Sequence, residues 1–259
     1  MMTTPILEAR NVSIRFGGVE ALKQVSLHVN KGEVLALAGD NGAGKSTLIK
    51  VISGVYHPHE GELFFEGQPL TMREPQDART KGIETIYQDL ALADNLDVGS
   101  NIFLGREPMH RRFGVQVINR AHMRKVAKDV LDRLDIVIPD KKLTGPVRTL
   151  SGGQRQAIAI GRAIYWDARV LIMDEPTAAL GVPEQRKVME LIQGLKSEGV
   201  AVILISHNLH DIFGVSDRIM VLRRGELAGE RLTKETDGDE IVRLMVGDEY
   251  AATKTAARV

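Results

Sequence analysis

The feature that most constrains this chain is a glycine-rich turn between an apolar run and a helix-compatible segment. The apolar run covers residues 34–38, the turn covers residues 39–47, and a second apolar segment covers residues 48–52. The turn has the spacing G-x-x-x-x-G-K-S, which is that of a phosphate-binding loop. Its glycines let the backbone curl so that successive N–H groups point at phosphate oxygens, and the following helix adds a partial positive charge. The pattern therefore predicts a site for a nucleoside phosphate.

The residue types in this loop also predict individual contacts. We expect Lys45 to reach the β- and γ-phosphates and the Ser46 hydroxyl to ligate Mg²⁺. A chance glycine turn between a strand and a helix is the alternative interpretation, and the motifs described below argue against it. The predicted nucleotide contacts in the loop are Gly39, Asp40, Asn41, Gly42, Ala43, Gly44, Lys45, Ser46 and Thr47.

Three runs, at residues 34–38, 170–173 and 201–205, are apolar throughout instead of alternating. Such runs are typical of strands buried on both faces of a parallel sheet, and helices between them favour right-handed crossovers. Ligands in these folds bind at the carboxyl ends of the strands. Because Gly39, Asp174 and His207 all lie just past such ends, we expect them to meet in one crevice.

The side chains at these strand ends suit the hydrolysis of a nucleoside triphosphate. Asp174 is the expected Mg²⁺-side carboxylate, acting with Ser46, and Glu175 is the expected general base. His207 could hold the γ-phosphate and the attacking water, or could be a structural histidine. Gln88 could orient water or complete the Mg²⁺ shell, although an isolated glutamine is commonly a surface residue. Two adjacent carboxylates could also be a solvated loop edge.

A second glycine-rich helix start occurs at Ser151-Gly152-Gly153-Gln154, where Ser151 is a good N-cap residue. This segment is again suited to anion binding. One nucleotide cannot easily use two such loops from the same subunit. A head-to-tail dimer, in which each phosphate loop faces the partner's second loop, would resolve the difficulty.

The remaining patterns predict secondary structure around these motifs. Alternating residues at 6–14 and 25–29 favour antiparallel strands, and residues 219–222 with a turn at 224–225 favour a peripheral hairpin. Residues 120–135, 154–164 and 241–246 have helical features, and residues 89–145 read as a mostly helical insertion. Phe16, beside a predicted turn, could stack on a base or belong to the core.

Composition excludes several classes of protein. Lysine plus arginine equals aspartate plus glutamate, at 34 each, and the chain has no cysteine. A neutral chain does not indicate nucleic-acid binding, and without cysteine there are no disulfides or thiolate metal sites. The N-terminus lacks a signal-peptide core, and no apolar run is long enough to span a bilayer. We therefore expect a cytoplasmic protein whose membrane role, if any, comes through a partner.

Together these residues resemble the ATP-binding subunit of ABC transporters. The match covers roughly residues 5–247, with a Walker A loop at 39–47, Leu150-Ser-Gly-Gly-Gln154 as the signature, and Walker B at 170–175. The resemblance implies an α/β fold, namely a P-loop NTPase (RecA-like) core with an antiparallel β subdomain and a helical signature subdomain. It implies one domain over 5–247, a helical insertion at about 89–160, and a flexible tail at 248–259.

The resemblance also assigns roles to residues. It implies that ATP and Mg²⁺ are bound, that Phe16 stacks on adenine, and that the signature residues Ser151, Gly152, Gly153 and Gln154 contact the nucleotide. Its Q-loop glutamine is Gln88 and its switch histidine is His207. The implied metal ligands are Ser46, Gln88 and Asp174, and the implied catalytic residues are Glu175, His207, Gln88 and Lys45.

Within this family, residues 86–98 and 101–107 resemble the corresponding segments of bacterial importers of monosaccharides such as ribose, xylose and fructose. Of these, the resemblance favours the fructose importers. The implied partners are a second copy of the chain, integral membrane permease subunits and, indirectly, a periplasmic sugar-binding protein. The implied location is peripheral, at the cytoplasmic face of the inner membrane. Residues 84–87 and the segment after Gln88 are where such subunits meet the permease.

Two features depart from the resemblance. Many ATPases of this sugar group hold two copies in one chain, whereas this sequence has one, so we expect a homodimer with two equivalent sites. The D-loop commonly has an aspartate after Ala-Leu, and here Leu180 is followed by Gly181. A glycine there could loosen communication with the partner's Walker A loop. We also expect no regulatory domain after residue 246.

Two other functions remain open at this point. A soluble ABC ATPase of DNA repair or translation is one alternative, but the segment between Gln88 and Ser151 has no heptad run and the chain has no charged linker between two copies. An ABC transporter ATPase for a non-sugar cargo is the other, because cargo is chosen by the partners.

Overall fold

The structure of the protein is a computed structural model, and it describes residues 4–112, 115–178 and 180–247. The predicted tail at 248–259 and Ala179 of the predicted D-loop lie outside these residues. The described chain divides into two compact units. The first unit comprises residues 4–85, 169–175 and 192–247, and the second comprises residues 86–168 and 176–191.

The strands of the described residues are, in chain order, β1 (Leu7–Phe16), β2 (Val19–Val29), β3 (Val34–Ala38), β4 (Glu60–Phe65), β5 (Gln68–Pro69), β6 (Ile83–Ile86), β7 (Met109–Arg112), β8 (Val115–Ile118), β9 (Val170–Asp174), β10 (Ala201–Ile205), β11 (Arg218–Arg223) and β12 (Glu226–Leu232). The helices are α1 (Lys45–Ile52), α2 (Pro75–Thr80), α3 (Val98–Ile102), α4 (Arg120–Arg133), α5 (Asp140–Leu143), α6 (Gly152–Tyr165), α7 (Val182–Ser197), α8 (Leu209–Val215) and α9 (Gly238–Val246).

The central sheet has the order β12-β11-β3-β10-β9-β6 within the described chain. Strand β3 pairs in parallel with both β10 and β11, and β10 pairs in parallel with β9. Every residue of β3 and β10 is buried, as expected for strands covered on both faces. The prediction of a parallel sheet from the three apolar runs is therefore confirmed, and the carboxyl ends of β3, β9 and β10 lie side by side.

A second sheet of the first unit is antiparallel, with the order β2-β1-β4-β5. Along β1 and β2 the side chains alternate between buried and exposed positions, interrupted by register shifts. The predicted antiparallel strands are thus present, and they are longer than the pattern indicated. The turn between them contains Gly17, whose φ of +59° is favourable for glycine.

The second unit is mostly helical, and it contains α3 to α6. Helix α4 buries one face at helical spacing, which confirms the predicted helix at 120–135 to within its C-terminal end. The segment at residues 89–145, predicted as a mostly helical insertion, also contains two strands. Helix α3 lies within this segment, and β7 and β8 form a two-stranded hairpin. The sequence did not predict this hairpin, because its strands are short and their residues alternate only weakly.

The predicted hairpin at 219–225 is present, but it is wrong to call it peripheral. Strand β11 is buried along most of its length because it lies between β3 and β12 in the central sheet. Only β12, which is antiparallel to β11, lies at the sheet edge. The apolar run of β11 is short and precedes a tight turn at Gly225, so its pattern resembled an outer hairpin.

A core cluster on the central sheet is built mainly from aliphatic side chains of β3, β11 and two helices: Ala36, Ala38, Ile212, Ile219, Val221 and Ile241. Burial of these side chains stabilises the sheet by the hydrophobic effect and fixes the strand ends from which the site residues project. Within the described residues, no helix is long and apolar enough to cross a membrane.

Candidate functional site

The glycine-rich loop connects the end of β3 to the start of α1 in the first unit. Gly39 has φ +146°, and a Cβ atom built on it would lie 2.3 Å from the carbonyl oxygen of Leu222. Gly44 has φ +106°, and its Cβ would lie 2.8 Å from the carbonyl oxygen of Ala21. Gly42 has φ +80° but faces open space. Two glycines are therefore required by both backbone conformation and close approach, and the third by conformation alone.

The turn between β11 and β12 supports this loop. The backbone N–H of Gly225 donates to the carbonyl oxygen of Ala43 at 3.0 Å, and the Leu222 carbonyl packs on Gly39. Of the other predicted nucleotide contacts in the loop, Asp40 and Asn41 are exposed, as is Ser46, while Thr47 is half-buried. The loop is thus anchored on one side and open to solvent on the other.

Lys45 lies over the loop that precedes it. Its Nζ donates hydrogen bonds to the carbonyl oxygens of Gly39, at 2.6 Å, and Asp40, at 3.0 Å. Burial lowers the pKa of Lys45 below its ordinary value, and the negative charges of Glu175, Asp174 and Asp40 oppose that shift. The ammonium group is therefore close to the carboxylates at the end of β9.

Asp174 is the last residue of β9 and is half-buried. Burial raises the pKa of Asp174 above its ordinary value, and the charge of Glu175 raises it further. Lys45 and Lys50 act in the opposite direction. The crevice thus concentrates negative charge that the two lysines only partly offset, which is an environment that favours an added cation.

Glu175 follows β9 with an unusual backbone. Its φ of +50° lies in the left-handed region, which costs energy for a residue with a side chain. The Glu175 N–H donates to the Ile205 carbonyl oxygen at 2.9 Å, so the last hydrogen bond toward β10 holds this conformation. The sequence pattern gives no signal for this backbone geometry.

His207 lies two residues after β10, and its Nδ1 is 2.8 Å from Oε2 of Glu175. A carboxylate only accepts hydrogen bonds, so Nδ1 carries the hydrogen and Nε2 points elsewhere. The His207 side chain is 71% exposed, whereas that of Glu175 is 16% exposed. The structure therefore brings these two predicted site residues into direct contact, with the histidine on the solvent side.

Phe16, at the end of β1, is 46% exposed, and its ring meets that of Tyr56 edge-on with centroids 5.1 Å apart. Tyr56 was not predicted as a site residue, because an isolated tyrosine after a helix end has no distinctive pattern. Lys50, also not predicted, lies on α1 four residues after Ser46, a spacing that places both on one helix face. That spacing could have identified Lys50 from the sequence.

The other predicted site residues belong to the second unit. Gln88 is exposed and lies two residues after β6 ends. Ser151 caps α6: its hydroxyl accepts from the Gln154 N–H at 3.3 Å, and the Gln154 side chain accepts from the Ser151 N–H at 3.1 Å. The prediction of an N-cap at Ser151 is confirmed. Gly152 and Gly153 open the helix, with Gly152 exposed.

The donor atoms present suit Mg²⁺. The hydroxyl of Ser46 and the carboxylate of Asp174 are hard oxygen ligands of the kind that this ion prefers. The raised pKa of Asp174, caused by burial and by Glu175, shows that the ionised carboxylate lacks full compensation within the protein. These residues therefore fit a divalent cation that arrives with phosphate oxygens.

Comparison with known proteins connects this geometry to a family. The family model described as "ABC transporter" matches residues 22–178. A xylose/arabinose import ATP-binding protein of Sulfolobus acidocaldarius is 50% identical over 240 residues, which cover 93% of each chain. A fructose import ATP-binding protein of Rhizobium meliloti is 46% identical over 87% of each chain.

A ribose import ATP-binding protein of Rubrobacter xylanophilus is 45% identical over 94% of this chain and 47% of its own length. The chain thus spans about half the length of the ribose relatives that it matches.

Solved structures agree with the sequence relatives. A crystal structure of an ATP-binding cassette of an ABC transporter has a TM-score of 0.81 and 28% identity, covering 95% of this chain and 100% of that one. A dimeric ATP-binding cassette in a post-hydrolysis state, bound to ADP and Pi, has a TM-score of 0.71 and 25% identity, covering 88% and 98%. The α/β fold expected for a P-loop NTPase is therefore confirmed, and the chain belongs to the ATP-binding proteins of the ABC transporter family.

Proposed function

We propose that this chain is the ATP-hydrolysing subunit of a monosaccharide importer. The observation that carries the proposal is the contact between His207 and Glu175, which lies beside Lys45 of a phosphate-binding loop. A hydrolase needs a positioned base next to the γ-phosphate, and this pair supplies a carboxylate with a fixed orientation. The relatives named above are ATP-binding proteins of sugar import systems, which is the basis for the proposed cargo.

In this proposal the loop residues 39–47 hold the phosphates. Lys45 exchanges its bonds to the Gly39 and Asp40 carbonyl oxygens for phosphate oxygens, which compensate an ammonium group better. Ser46 and Asp174 would hold Mg²⁺, with Gln88 as a further ligand or as the residue that orients water. Bound Mg²⁺ would neutralise charge on the phosphates. Phe16 would stack on adenine.

Glu175 accepts a proton from the attacking water in this scheme. The hydrogen bond from His207 Nδ1 fixes one carboxylate oxygen, Oε2, and leaves Oε1 for the water. For His207 to hold the γ-phosphate as well, its Nε2 would also have to carry a hydrogen, because phosphate oxygens accept hydrogen bonds. The left-handed backbone of Glu175 contributes to this arrangement, because strain at such a position is commonly retained where it serves a site.

We further propose that two copies act head to tail. The start of α6, with Ser151, Gly152, Gly153 and Gln154, is a second helix N-terminus suited to phosphate. It would contact the nucleotide held by the partner's loop. Dimeric cassettes among the related solved structures support this arrangement.

The remaining partners follow from the importer proposal. The chain would act at the cytoplasmic face of the membrane, bound to permease subunits, and a sugar-binding protein outside that membrane would select the cargo. Relatives named for xylose/arabinose, ribose and fructose import match at 45 to 50% identity, which supports a monosaccharide as the cargo.

The test of the enzymatic proposal compares the purified chain with its Glu175→Gln variant. Wild-type protein should release phosphate from Mg·ATP, and the variant should bind ATP with similar affinity but turn it over at least about 10²-fold more slowly. Equal turnover by both proteins would refute the role of Glu175.

Affinity purification from gently solubilised native membranes tests the importer proposal. Recovery of a polytopic permease with a sugar-binding protein would support sugar import. Recovery with a permease and a binding protein for another solute would instead favour a non-sugar transporter. Recovery only with ribosomes or DNA would favour a soluble ABC ATPase and refute the importer.

A further inference from the structure

The first turn of α7 lies against the glycines that open α6. A Cβ atom built on Gly153 would lie 2.7 Å from Cγ of Glu184 and 3.0 Å from its Cβ. The Glu184 stem therefore packs directly on the backbone of Gly153. No side chain larger than hydrogen fits at position 153 unless Glu184 moves.

The same side chain also reaches the loop before α7. A Cβ atom built on Gly181 would lie 2.9 Å from Oε2 of Glu184. The carboxylate of Glu184 thus occupies the space beside the backbone where a side chain at position 181 would begin. A single residue contacts the opening of α6 with its stem and the loop before α7 with its carboxylate.

The neighbouring residue, Gln185, also holds that loop, through hydrogen bonds. Its Nε2 donates to the carbonyl oxygen of Leu180 at 3.0 Å and to that of Thr177 at 3.4 Å. Its backbone N–H donates to the Gly181 carbonyl oxygen at 2.9 Å. Thr177, Leu180 and Gly181 are therefore tied to α7, and α7 is packed on α6.

We infer that Glu184 is a positioning residue which, together with Gln185, holds the signature residues 151–154 in one fixed arrangement with Thr177, Leu180 and Gly181. All of these residues belong to the second unit. Residue 177 follows Glu175 in the chain by two positions, so this arrangement links the signature loop to the segment that leaves the proposed general base. Its consequence for turnover rests on the proposed function.

The effect on catalysis should appear in kcat and not in ATP affinity. The loop of residues 39–47 belongs to the first unit, whereas Glu184 belongs to the second. Turnover needs the signature loop of the partner at a defined position, and small displacements of positioning groups slow reactions strongly. We expect Glu184→Ala to lower kcat about tenfold and to leave the Kd for ATP within about twofold.

Matched variants separate the contact from general damage. Glu184→Gln keeps the shape of the side chain and should retain kcat close to wild type. Lys187 lies one turn further along α7 and, like Glu184 and Gly153, lines a cavity of about 170 Å³. Lys187→Ala therefore controls for disturbance of the helix. Glu184→Asp is a milder shortening for use if the alanine variant does not fold.

A distance measurement tests the positioning without using activity. The chain has no cysteine, so spin labels can be placed at Thr149→Cys, beside the signature, and at Val182→Cys, whose side chain is 70% exposed. We expect a narrow distance distribution in the otherwise wild-type chain and a clearly broader one when Glu184→Ala is added.

The outcomes are distinct. A broader distribution together with reduced kcat supports the inference. An unchanged distribution with Glu184→Ala, unchanged kcat, or an equal loss of kcat with Lys187→Ala overturns it. If the wild-type chain does not hydrolyse ATP, the proposed function fails, while the spin-label distances still decide whether Glu184 positions the loop.

Discussion

Replacing Asp174 by asparagine should stabilise the protein in the absence of nucleotide and strongly reduce its ATP turnover. The carboxylate is half-buried at the end of β9, and the next residue, Glu175, carries a second carboxylate. Burial, followed by the charge of Glu175, raises the pKa of Asp174, despite the attraction of Lys45 and Lys50. A carboxyl group whose pKa is raised by folding destabilises the fold when it is ionised.

The upward direction of the pKa shift determines how the stability difference between the two proteins depends on pH. Well below the ordinary pKa of an aspartate, Asp174 is protonated in both the folded and unfolded states and has no effect on stability. As pH rises, the unfolded chain ionises first, and the penalty grows until the folded-state pKa has been passed. The stability advantage of Asp174→Asn should therefore grow as the pH rises and should shrink as the pH falls toward the ordinary value of 3.8.

The expected size is modest. Each unit of pKa difference corresponds to about 1.4 kcal/mol of unfolding free energy. Because the carboxylate is only half-buried, solvent screening reduces the effect, and we expect a gain of about 1 kcal/mol or less. For a chain of this size, a gain of about 1 kcal/mol corresponds to a rise in Tm of roughly 2–4 °C, which is therefore the upper limit.

The assay is thermal unfolding of both proteins between pH 4.5 and 7.5, with and without Mg·ATP. Asp129→Asn, an exposed site on α4, is the control and should not change Tm. Mg·ATP should raise the Tm of wild type more than that of Asp174→Asn, whose turnover should fall roughly 10²-fold or more. A lower Tm for Asp174→Asn at pH 7 without nucleotide, or an advantage that does not shrink on acidification, would refute the reasoning.

Three other predictions concern the scaffold and the nucleotide. Gly42→Ala introduces only backbone strain and should lower the free energy of unfolding by about 1 kcal/mol. Gly39→Ala also collides with a carbonyl oxygen and should lower it by at least about 3 kcal/mol. Denaturant titrations measure both losses, and equal losses would contradict the geometry. Phe16→Ala should weaken ATP binding about five- to tenfold without changing kcat, as measured by equilibrium titration and turnover assays. An unchanged Kd would contradict stacking of Phe16 on adenine. Arg218→Met breaks the buried ion pair with Glu33, at 2.8 Å, and should lower the free energy of unfolding by about 3–5 kcal/mol. Adding Glu33→Gln should recover part of this loss. If the losses of the two single variants simply add, the ion pair does not stabilise the fold.

The parts of the fold that the sequence predicts well are those with strong local patterns. The continuous apolar runs of β3, β9 and β10 identify buried parallel strands, and the carboxyl-end rule then brings Asp174 and His207 together. Helix α4 and the N-cap of α6 are also predicted, because their apolar spacing and Ser151 are local signals.

The parts that the sequence does not predict depend on distant contacts. The position of β11 in the middle of the sheet follows from its pairing with β3, and no local pattern shows which strand a run will join. The same holds for the left-handed backbone of Glu175, the Tyr56 ring beside Phe16, and the packing of Glu184 on Gly153. Each of these features is set by tertiary structure.

Mixing two inactive variants tests the central claim most directly, namely that ATP is hydrolysed between two copies of this chain. Lys45→Ala disables the phosphate-binding loop, and Ser151→Arg disables the signature. In a head-to-tail dimer the mixed pair contains one site with an intact loop from one copy and an intact signature from the other.

Each variant alone should be inactive as an Mg·ATPase, and the equimolar mixture should recover about a quarter of wild-type turnover, since half of the dimers are mixed and each has one of two sites intact. Recovery of that size would support a shared site. A mixture as inactive as its components would contradict the account.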